Sequence, residues 1–195
     1  MIIRKLFKFE GAHIVRNCSS DRCKKSIHGH SYVVEVFLES EKLDNGCMTY
    51  DFGLFKGTIK DFIDSFDHCY SMWNKETPEY QKFINENSDR VAIMPISPSA
   101  EGYALMFAFV IDKILRNTVF TNGEDENLRL KKVIVAETVT GYAEADLFDV
   151  AAMFNFGLED IVFSDEIKEE WTDPKMWEKL IAGQRFTNPT VQITH

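Results

Sequence analysis

The sequence has 195 residues, of which 45% are hydrophobic and 27% charged, and its formal net charge is −9 at pH 7. This length suits one domain with a proper core, or a domain with an extension, and the composition is that of a globular protein in water. The acidic balance argues against nucleic acid or an anionic membrane as a partner, and no apolar run is long enough for a signal peptide or membrane span. We therefore expect a cytoplasmic protein with free thiols at its four cysteines.

The first third of the chain predicts two strands and a helix. Residues 2–13 indicate a first strand, and the polar residues 14–27 indicate a loop. From Ser31 to Glu41 apolar residues alternate with others, which predicts a second strand with one well-buried face. Asp51 can cap a helix whose apolar stripe ends near Phe66.

The middle of the chain predicts one more helix and two more strands. The segment from 67 to about 96 has no clear period, so we expect it to be irregular apart from a short helix over 78–85. Ser97 to Glu101 begins a second long helix, because serine caps a helix N-terminus and an acid suits its first turn. Strands over 128–137 and 142–147 follow, joined by a hairpin turn. This order predicts an α+β domain with a four-stranded antiparallel sheet and two helices on one face.

The last part of the chain differs in composition. It is rich in acidic residues, tryptophan and methionine, and a short helix is predicted between Asp173-Pro174 and Gly183. From Asn188-Pro189 onward the sequence is typical of a tail. We therefore predict a domain over 1–147 and a partly helical C-terminal extension over 148–195, whose role the sequence leaves unassigned.

Three histidines form a candidate metal site. His28 and His30 are one residue apart, so on a strand both side chains lie on the same face of a sheet. His13 ends the preceding strand and can supply a third imidazole. Three histidines with an open position are a typical zinc site, and such an ion polarises a bound oxygen. For a His-x-His pair by itself, a chance occurrence is about as frequent as a metal site.

Cys23 is a candidate catalytic base or nucleophile. It lies beside Arg22, Lys24 and Lys25, and a positively charged setting favours the reactive thiolate. The alternative is a small buried side chain, which is the usual role of a lone cysteine.

Asp67-His68 and Glu137 leave two interpretations open. Asp67 and His68 are adjacent and cannot easily bond each other, but each can join a proton relay; a histidine that binds helix carbonyls is the alternative.

Glu137 ends an apolar strand, where a carboxylate needs a partner. It can anchor the N–H edge of a pterin or guanine ring, or simply face water.

Six short motifs follow one another along residues 1 to about 147. They are Phe9-Glu10-Gly11-Ala12-His13, Cys23 to Tyr32, Tyr50-Asp51-Phe52-Gly53 with Lys56, Phe66-Asp67-His68, Ser97-Pro98-Ser99-Ala100-Glu101 and Ala136-Glu137-Thr138. In this order they resemble the motifs of the 6-pyruvoyl- and 6-carboxy-tetrahydropterin synthase family. Six ordered motifs are far more specific than any one alone, and the stretch CKKSIHGHSY is closer to the carboxy branch of queuosine biosynthesis.

The resemblance implies a role for each candidate residue. One zinc ion per subunit would be bound by His13, His28 and His30. Catalysis would use Cys23 as the base, chosen over Cys18 for its nearness to the His-x-His pair, with Asp67 and His68 as the proton relay. The pterin would be bound by Glu137, and by Ser99 where the family usually has threonine.

The resemblance also implies a fold, an assembly and a reaction. The fold is the tunnelling fold, in which subunits form a trimeric barrel, pair as a hexamer and hold active sites between subunits. The reaction converts 7,8-dihydroneopterin triphosphate into 6-carboxy-5,6,7,8-tetrahydropterin, acetaldehyde and triphosphate. One alternative is the pyruvoyl synthase, which eliminates triphosphate without losing carbon. Another is a zinc-containing oligomer that binds a pterin or purine without catalysis, although a binder has no need of the Cys23 thiolate.

Overall fold

The computed structural model describes residues 1–192, and a seven-stranded sheet forms its centre. The remaining two strands form a small separate pair. The strands are β1 Ile2–His13, β2 His28–Glu39, β3 Cys69–Trp73, β4 Val91–Met94, β5 Thr118–Val119, β6 Arg129–Ala136, β7 Tyr142–Ala145, β8 Val162–Phe163 and β9 Phe186–Thr187. The α-helices are α1 Asp21–Lys25, α2 Thr58–Asp64, α3 Pro78–Asn87, α4 Ala100–Arg116, α5 Leu147–Met153, α6 Asp165–Glu169 and α7 Met176–Ile181.

The strand order of the large sheet is β7-β6-β2-β1-β3-β4-β8. Four neighbouring pairs are antiparallel, whereas β1 with β3 and β3 with β4 are parallel. The α+β class is confirmed, and the four predicted strands correspond to β1, β2, β6 and β7. The sheet is larger than the predicted one because β3, β4 and β8 extend it beyond β1.

The segment from 67 to 96, which we expected to be mostly irregular, contains β3, α3 and β4. Four of the five residues of β3 are buried, so its sequence, CYSMW, shows no alternation of polar and apolar positions. A strand covered on both faces lacks the period of two that reveals a half-exposed strand. The predicted short helix is confirmed as α3, which begins at Pro78 after the capping Thr77 and ends at Asn87.

The helices deviate from the prediction mainly at their ends. The helix expected after Asp51 is a 3₁₀ turn over Leu54–Lys56 followed by the short α2, and α1 lies in the expected loop. The long helix α4 begins after Ser99, as predicted, and packs across β6 and β7. Strand β7 ends at Ala145 because Asp146 caps α5. Within residues 1–192, no helix has the length and apolar character that crossing a bilayer requires.

Residues beyond 147 contribute to the same apolar core as the sheet. The ring of Trp177 stacks on that of Phe62 with centroids 6.1 Å apart, and Phe163 packs against Phe66 at 5.8 Å. The indole N–H of Trp177 donates to the carbonyl of Ile161 (3.2 Å), which satisfies its polar atom inside the core. The division of the chain at residue 147 stays a prediction from the sequence, but these rings have no core of their own.

The C-terminal end is bound to the body of the protein. Strand β9 pairs with β5, and the side-chain amide of Asn188 donates to the hydroxyl of Tyr50 (3.3 Å). The hydroxyl of Thr121 donates to the carbonyl of Pro189 (2.8 Å). The predicted tail therefore contacts the body at its first two residues, and residues 193–195 lie outside the described range.

Trp177→Ala should lower the free energy of unfolding by about 3–5 kcal/mol, because it removes a buried aromatic ring and leaves a cavity. Phe148→Ala is the matched control in the same C-terminal part, since its ring is 81% exposed. We expect it to change the free energy of unfolding by no more than about 0.5 kcal/mol. Urea denaturation followed by far-ultraviolet circular dichroism measures the free energy of unfolding of both variants. Equal losses would contradict a core shared by the C-terminal part and the large sheet.

Candidate metal centre and active site

The pairing of β1 with β2 brings the three predicted histidines together. The antiparallel register places His13 directly opposite His28, and His30 lies two residues further along the same face of β2. The ring centroids of His13 are 4.5 Å from His28 and 5.2 Å from His30. One nitrogen of each ring lies within 4.8 Å of the other two. The predicted cluster is therefore present in the fold.

Two backbone carbonyls determine which ring nitrogens face the centre of the cluster. His13 Nδ1 lies 2.5 Å from the carbonyl of Pro98, and His28 Nδ1 lies 3.0 Å from the carbonyl of Ser26. Because a carbonyl only accepts, each Nδ1 must carry its proton and donate it. The Nε2 atoms of His13 and His28 then present lone pairs to each other at 3.2 Å.

Two lone pairs at that distance repel unless a cation or proton lies beside them. His13 is fully buried, and this burial lowers its pKa to about 4. The hydrogen bond to the Pro98 carbonyl raises the pKa, and the charges of His28 and His30 lower it further. A proton is therefore disfavoured near neutral pH, whereas a metal ion binds neutral imidazole. The donor set of three imidazole nitrogens fits a transition metal with an open position.

Glu137 follows β6 and directs its carboxylate at the same cluster. Its Oε1 lies 3.5 Å from His13 Nε2, 3.6 Å from His30 Nε2 and 3.3 Å from the hydroxyl of Tyr32. The side chain is 29% exposed, so it remains accessible to a small molecule. Of the two interpretations left open, the water-facing side chain does not describe this position. The predicted pterin contact stays a prediction.

Ser99 lies beside the cluster as the cap of α4. Its hydroxyl accepts from the backbone N–H of Gly102 (3.2 Å), and the preceding residue, Pro98, supplies the carbonyl that binds His13. The contact of Pro98 with His13 was not predicted from the sequence, because a backbone carbonyl has no side-chain signature. Its approach to His13 depends on how the loop before α4 packs against β1.

Cys23 lies on α1, within the connection that joins His13 to His28. All four cysteines are free, as predicted, and Cys23 is partly exposed. Its positive neighbours have acidic partners, because Lys24 and Lys25 both pair with Asp21 at 2.9 and 3.1 Å. The structure therefore reduces the positive charge that the sequence placed around the thiol.

Arg16 holds the segment that carries Cys23. Its guanidinium forms two bonds to the carboxylate of Glu76 (2.8 and 2.9 Å) and donates to the carbonyl of Lys24 (2.8 Å). The backbone N–H of Val15 donates to the carbonyl of Cys23 itself (3.1 Å). These bonds attach α1 to the end of β1 and so limit where the thiol can move.

Asp67 and His68 bond each other directly, which corrects the expectation that sequence neighbours cannot. His68 Nδ1 lies 2.9 Å from Asp67 Oδ2. The reason is the backbone of His68, whose φ of 51° turns two adjacent side chains toward the same side. Burial opposes ionisation of Asp67, but the N–H of Glu10 and the His68 ring together hold the pKa of this carboxyl below its ordinary value.

The Asp67-His68 pair faces outward rather than into the histidine cluster. The side chain of His68 is 76% exposed, and it lines a shallow groove of about 460 Å³ that His30 also lines. Among the described residues no hydrogen bond joins Cys23 to Asp67 or His68. The structure thus brings together the three histidines and Glu137. Cys23 and the Asp67-His68 pair lie apart from each other, on α1 and on the turn before β3.

A three-histidine cluster on a sheet, with an acidic residue beside it, could hold a metal ion, and comparisons with known proteins identify the family. The sequence model of the 6-pyruvoyl tetrahydropterin synthase family matches residues 2–147. The chain belongs to this family. The 48 residues from 148 to 195 lie beyond the end of that match.

Three relatives illustrate the relationship. A Helicobacter pylori protein named 6-carboxy-5,6,7,8-tetrahydropterin synthase is 45% identical over 188 residues, covering 95% of this chain and 94% of the relative. An Aquifex aeolicus protein of the same name is 30% identical and covers 73% of this chain and 95% of its own. A solved structure of an uncharacterized Wolinella succinogenes protein shares the fold with a TM-score of 0.61 at 18% identity, covering 75% and 97% of the two chains.

These findings confirm two predictions made from the motifs. The chain is a member of the predicted family, and it is an enzyme of the pterin synthase type. The first relative also spans nearly the whole chain, so it includes most of the part beyond residue 147. The roles predicted for single residues are not tested by these comparisons.

His28→Ala should lose most of the bound metal, because only two of three imidazole ligands remain. His68→Ala is the matched control, since this exposed ring lies outside the cluster, and it should retain metal at the level of the unsubstituted protein. Elemental analysis after growth in supplemented medium and gel filtration measures the metal per chain. Equal metal content in the two variants would contradict the assignment.

Proposed function

We propose that the protein is a zinc-dependent 6-carboxy-5,6,7,8-tetrahydropterin synthase. With one molecule of water, it would convert 7,8-dihydroneopterin triphosphate into the carboxypterin, acetaldehyde and triphosphate. The observation that carries the proposal is the convergence of His13, His28 and His30 in a chain that is 45% identical to a named enzyme of this activity. The pathway, queuosine biosynthesis, follows from the resemblance and is part of the proposal.

Zinc is the metal that fits this donor set best. Three neutral imidazoles and an open position are typical of catalytic zinc, and a bound zinc ion would polarise an oxygen of the substrate side chain. His13 and His28 would be held in the correct tautomer by the carbonyls of Pro98 and Ser26. Glu137 would remain free to accept N–H groups from the pterin ring.

The remaining residues would move protons. The Cys23 thiolate would remove or return a proton at a substrate carbon beside the activated oxygen. His68 donates its Nδ1 proton to Asp67, so its Nε2 is the nitrogen with a lone pair and would exchange protons with substrate hydroxyls. Asp67 would hold the ring in this tautomer and stabilise the imidazolium when it forms.

The outward position of His68 supports an active site between subunits. The ring is exposed and makes no bond to Cys23 among the described residues, so a single chain does not join the thiol to the relay. An oligomer, trimeric or hexameric as the resemblance implies, would supply the relay from a neighbouring copy.

A second candidate function uses the same site. The matching family bears the name of the pyruvoyl synthase, which eliminates triphosphate from the same substrate and keeps all its carbon atoms. The identity and coverage of the Helicobacter pylori relative favour the carboxy branch. A non-catalytic binding protein is the third possibility, and it would need neither Cys23 nor the relay.

Incubation of the zinc-loaded protein with 7,8-dihydroneopterin triphosphate should yield 6-carboxytetrahydropterin and acetaldehyde. The three histidines would hold a metal ion that supplies a Lewis acid, and Cys23 would exchange a proton with the substrate side chain. Liquid chromatography with mass spectrometry identifies the pterin, and a coupled dehydrogenase assay measures acetaldehyde. A pyruvoyl product would transfer the proposal to the second candidate. No turnover by fully zinc-loaded protein would leave only binding.

Cys23→Ala should abolish most turnover while zinc content and pterin binding persist, because the thiol lies outside the histidine cluster. Cys18→Ala is the matched control within the same connection, and we expect it to stay active. Steady-state kinetics, elemental analysis and fluorescence titration with a pterin separate the three properties. If Cys18→Ala were inactive and Cys23→Ala active, the catalytic thiol would be Cys18.

A further inference from the structure

The planar guanidinium of Arg90 makes three contacts beside the turn that follows α2. It directly precedes β4, and its side chain is only 18% exposed. Its Nε donates to the carbonyl of Asp67 (2.9 Å) and its Nη2 to the carbonyl of Asp64 (3.1 Å). Its Nη1 forms an ion pair with Glu170 from the C-terminal part. A guanidinium is suited to such a place because its donors form a rigid planar fork.

The Asp67 carbonyl, to which Arg90 Nε donates, belongs to the peptide unit that joins Asp67 to His68. The next residue along, His68, has a φ of 51°, which is unfavourable for a residue with a β-carbon. The backbone N–H of His68 donates to the carbonyl of Glu10 (2.6 Å) on the other side. The peptide unit is thus held at one end by β1 and at the other by Arg90, in the conformation that brings the Asp67 and His68 side chains together.

The neighbours of Glu170 attach the C-terminal part to the same turn. The indole N–H of Trp171 donates to the hydroxyl of Ser65 (2.8 Å), and the backbone N–H of Thr172 donates to the carboxylate of Asp61 (3.0 Å). Three consecutive residues from outside the family match therefore contact α2 or Arg90 within one short stretch. This arrangement gives the C-terminal part a place next to the relay.

We propose that Arg90 is a positioning residue for the Asp67-His68 pair, and that Glu170 of the C-terminal part holds Arg90 in place. The inference rests on the proposed function in one respect, since it takes the pair to be the proton relay. Each of the three guanidinium nitrogens of Arg90 already binds a protein acceptor. Arg90 acts by fixing the peptide unit from which both side chains of the relay extend.

Arg90→Lys tests the proposal, because lysine keeps the charge but cannot bond two carbonyls and a carboxylate from one planar fork. We expect kcat to fall by about ten- to a hundredfold, as a displaced catalytic group does, with little change in KM or zinc content. Glu170→Gln removes only the charge of a carboxylate that is 65% exposed, so folding should be retained. Its expected loss in kcat is about two- to fivefold, the size of a partly exposed ion pair.

Arg129→Lys is the matched control. This arginine also bonds one carboxylate, that of Glu39 (2.9 Å), and one carbonyl, that of Asn127 (3.3 Å), but neither belongs to the relay. We expect its kcat to stay within about twofold of the unsubstituted enzyme, as for most surface changes. A loss equal to that of Arg90→Lys would show a general effect of arginine replacement and would overturn the proposal.

The ring nitrogens of His68 supply a readout that does not depend on turnover. In the unsubstituted protein, the ¹⁵N shifts should show a proton on Nδ1, held by Asp67. Arg90→Lys should move these shifts and Arg129→Lys should not, with His68→Ala identifying the signals. If the unsubstituted enzyme shows no turnover, the proposed function fails and the shifts alone decide the inference.

Two further results would overturn the inference. One is a folded Arg90→Lys protein with kcat within twofold of the control and unchanged His68 shifts. If Arg90→Lys does not fold, Glu170→Gln decides, and unchanged kcat with unchanged His68 shifts in that variant is the second.

Discussion

The antiparallel pairing of β1 with β2 is the constraint on which the site depends. It places His13 opposite His28 and leaves His30 on the same face two residues away. A shift of one residue would turn one strand's histidines to the opposite face of the sheet. The register is supported directly beside the site by the ring of Phe9, which stacks on that of Tyr32 with centroids 4.7 Å apart. The apolar core and the candidate metal ligands are therefore positioned by the same ladder of backbone hydrogen bonds.

Backbone carbonyls complete what the register begins. Those of Pro98 and Ser26 fix the tautomers of two candidate ligands, and those of Asp64 and Asp67 are bound by Arg90. Three of these acceptors belong to connecting segments and Asp64 ends α2, so the arrangement of the site depends on how loops and a helix end pack against the sheet. Arg16 and Arg90 have similar surroundings: each binds an acidic residue and at least one carbonyl of a segment that carries predicted catalytic residues.

Patterns of exposure decided which elements could be predicted. Strands β1, β2, β6 and β7 have at least one partly exposed face, and α4 begins after a capping serine, so each leaves a period or a cap in the sequence. Strand β3 is covered on both faces and β8 has two residues, so neither leaves such a signal. The sheet was therefore predicted with the correct class but too few strands. Of the three C-terminal helices only α7 was predicted, and the packing of this part into the main core was not.

The sequence by itself determined the identity and spacing of the candidate ligands, because His-x-His on a strand has only one geometric outcome. It also carried the six motifs that indicate the family. Only the tertiary structure decided that Glu137 faces the histidines and that Asp67 bonds His68, against the expectation for adjacent residues. It also decided that the C-terminal part lies next to the Asp67-His68 pair, through the Glu170–Arg90 ion pair. The reason is physical: periodicity reports which face a residue occupies, but a positive φ and contacts between distant segments arise only when the chain has packed.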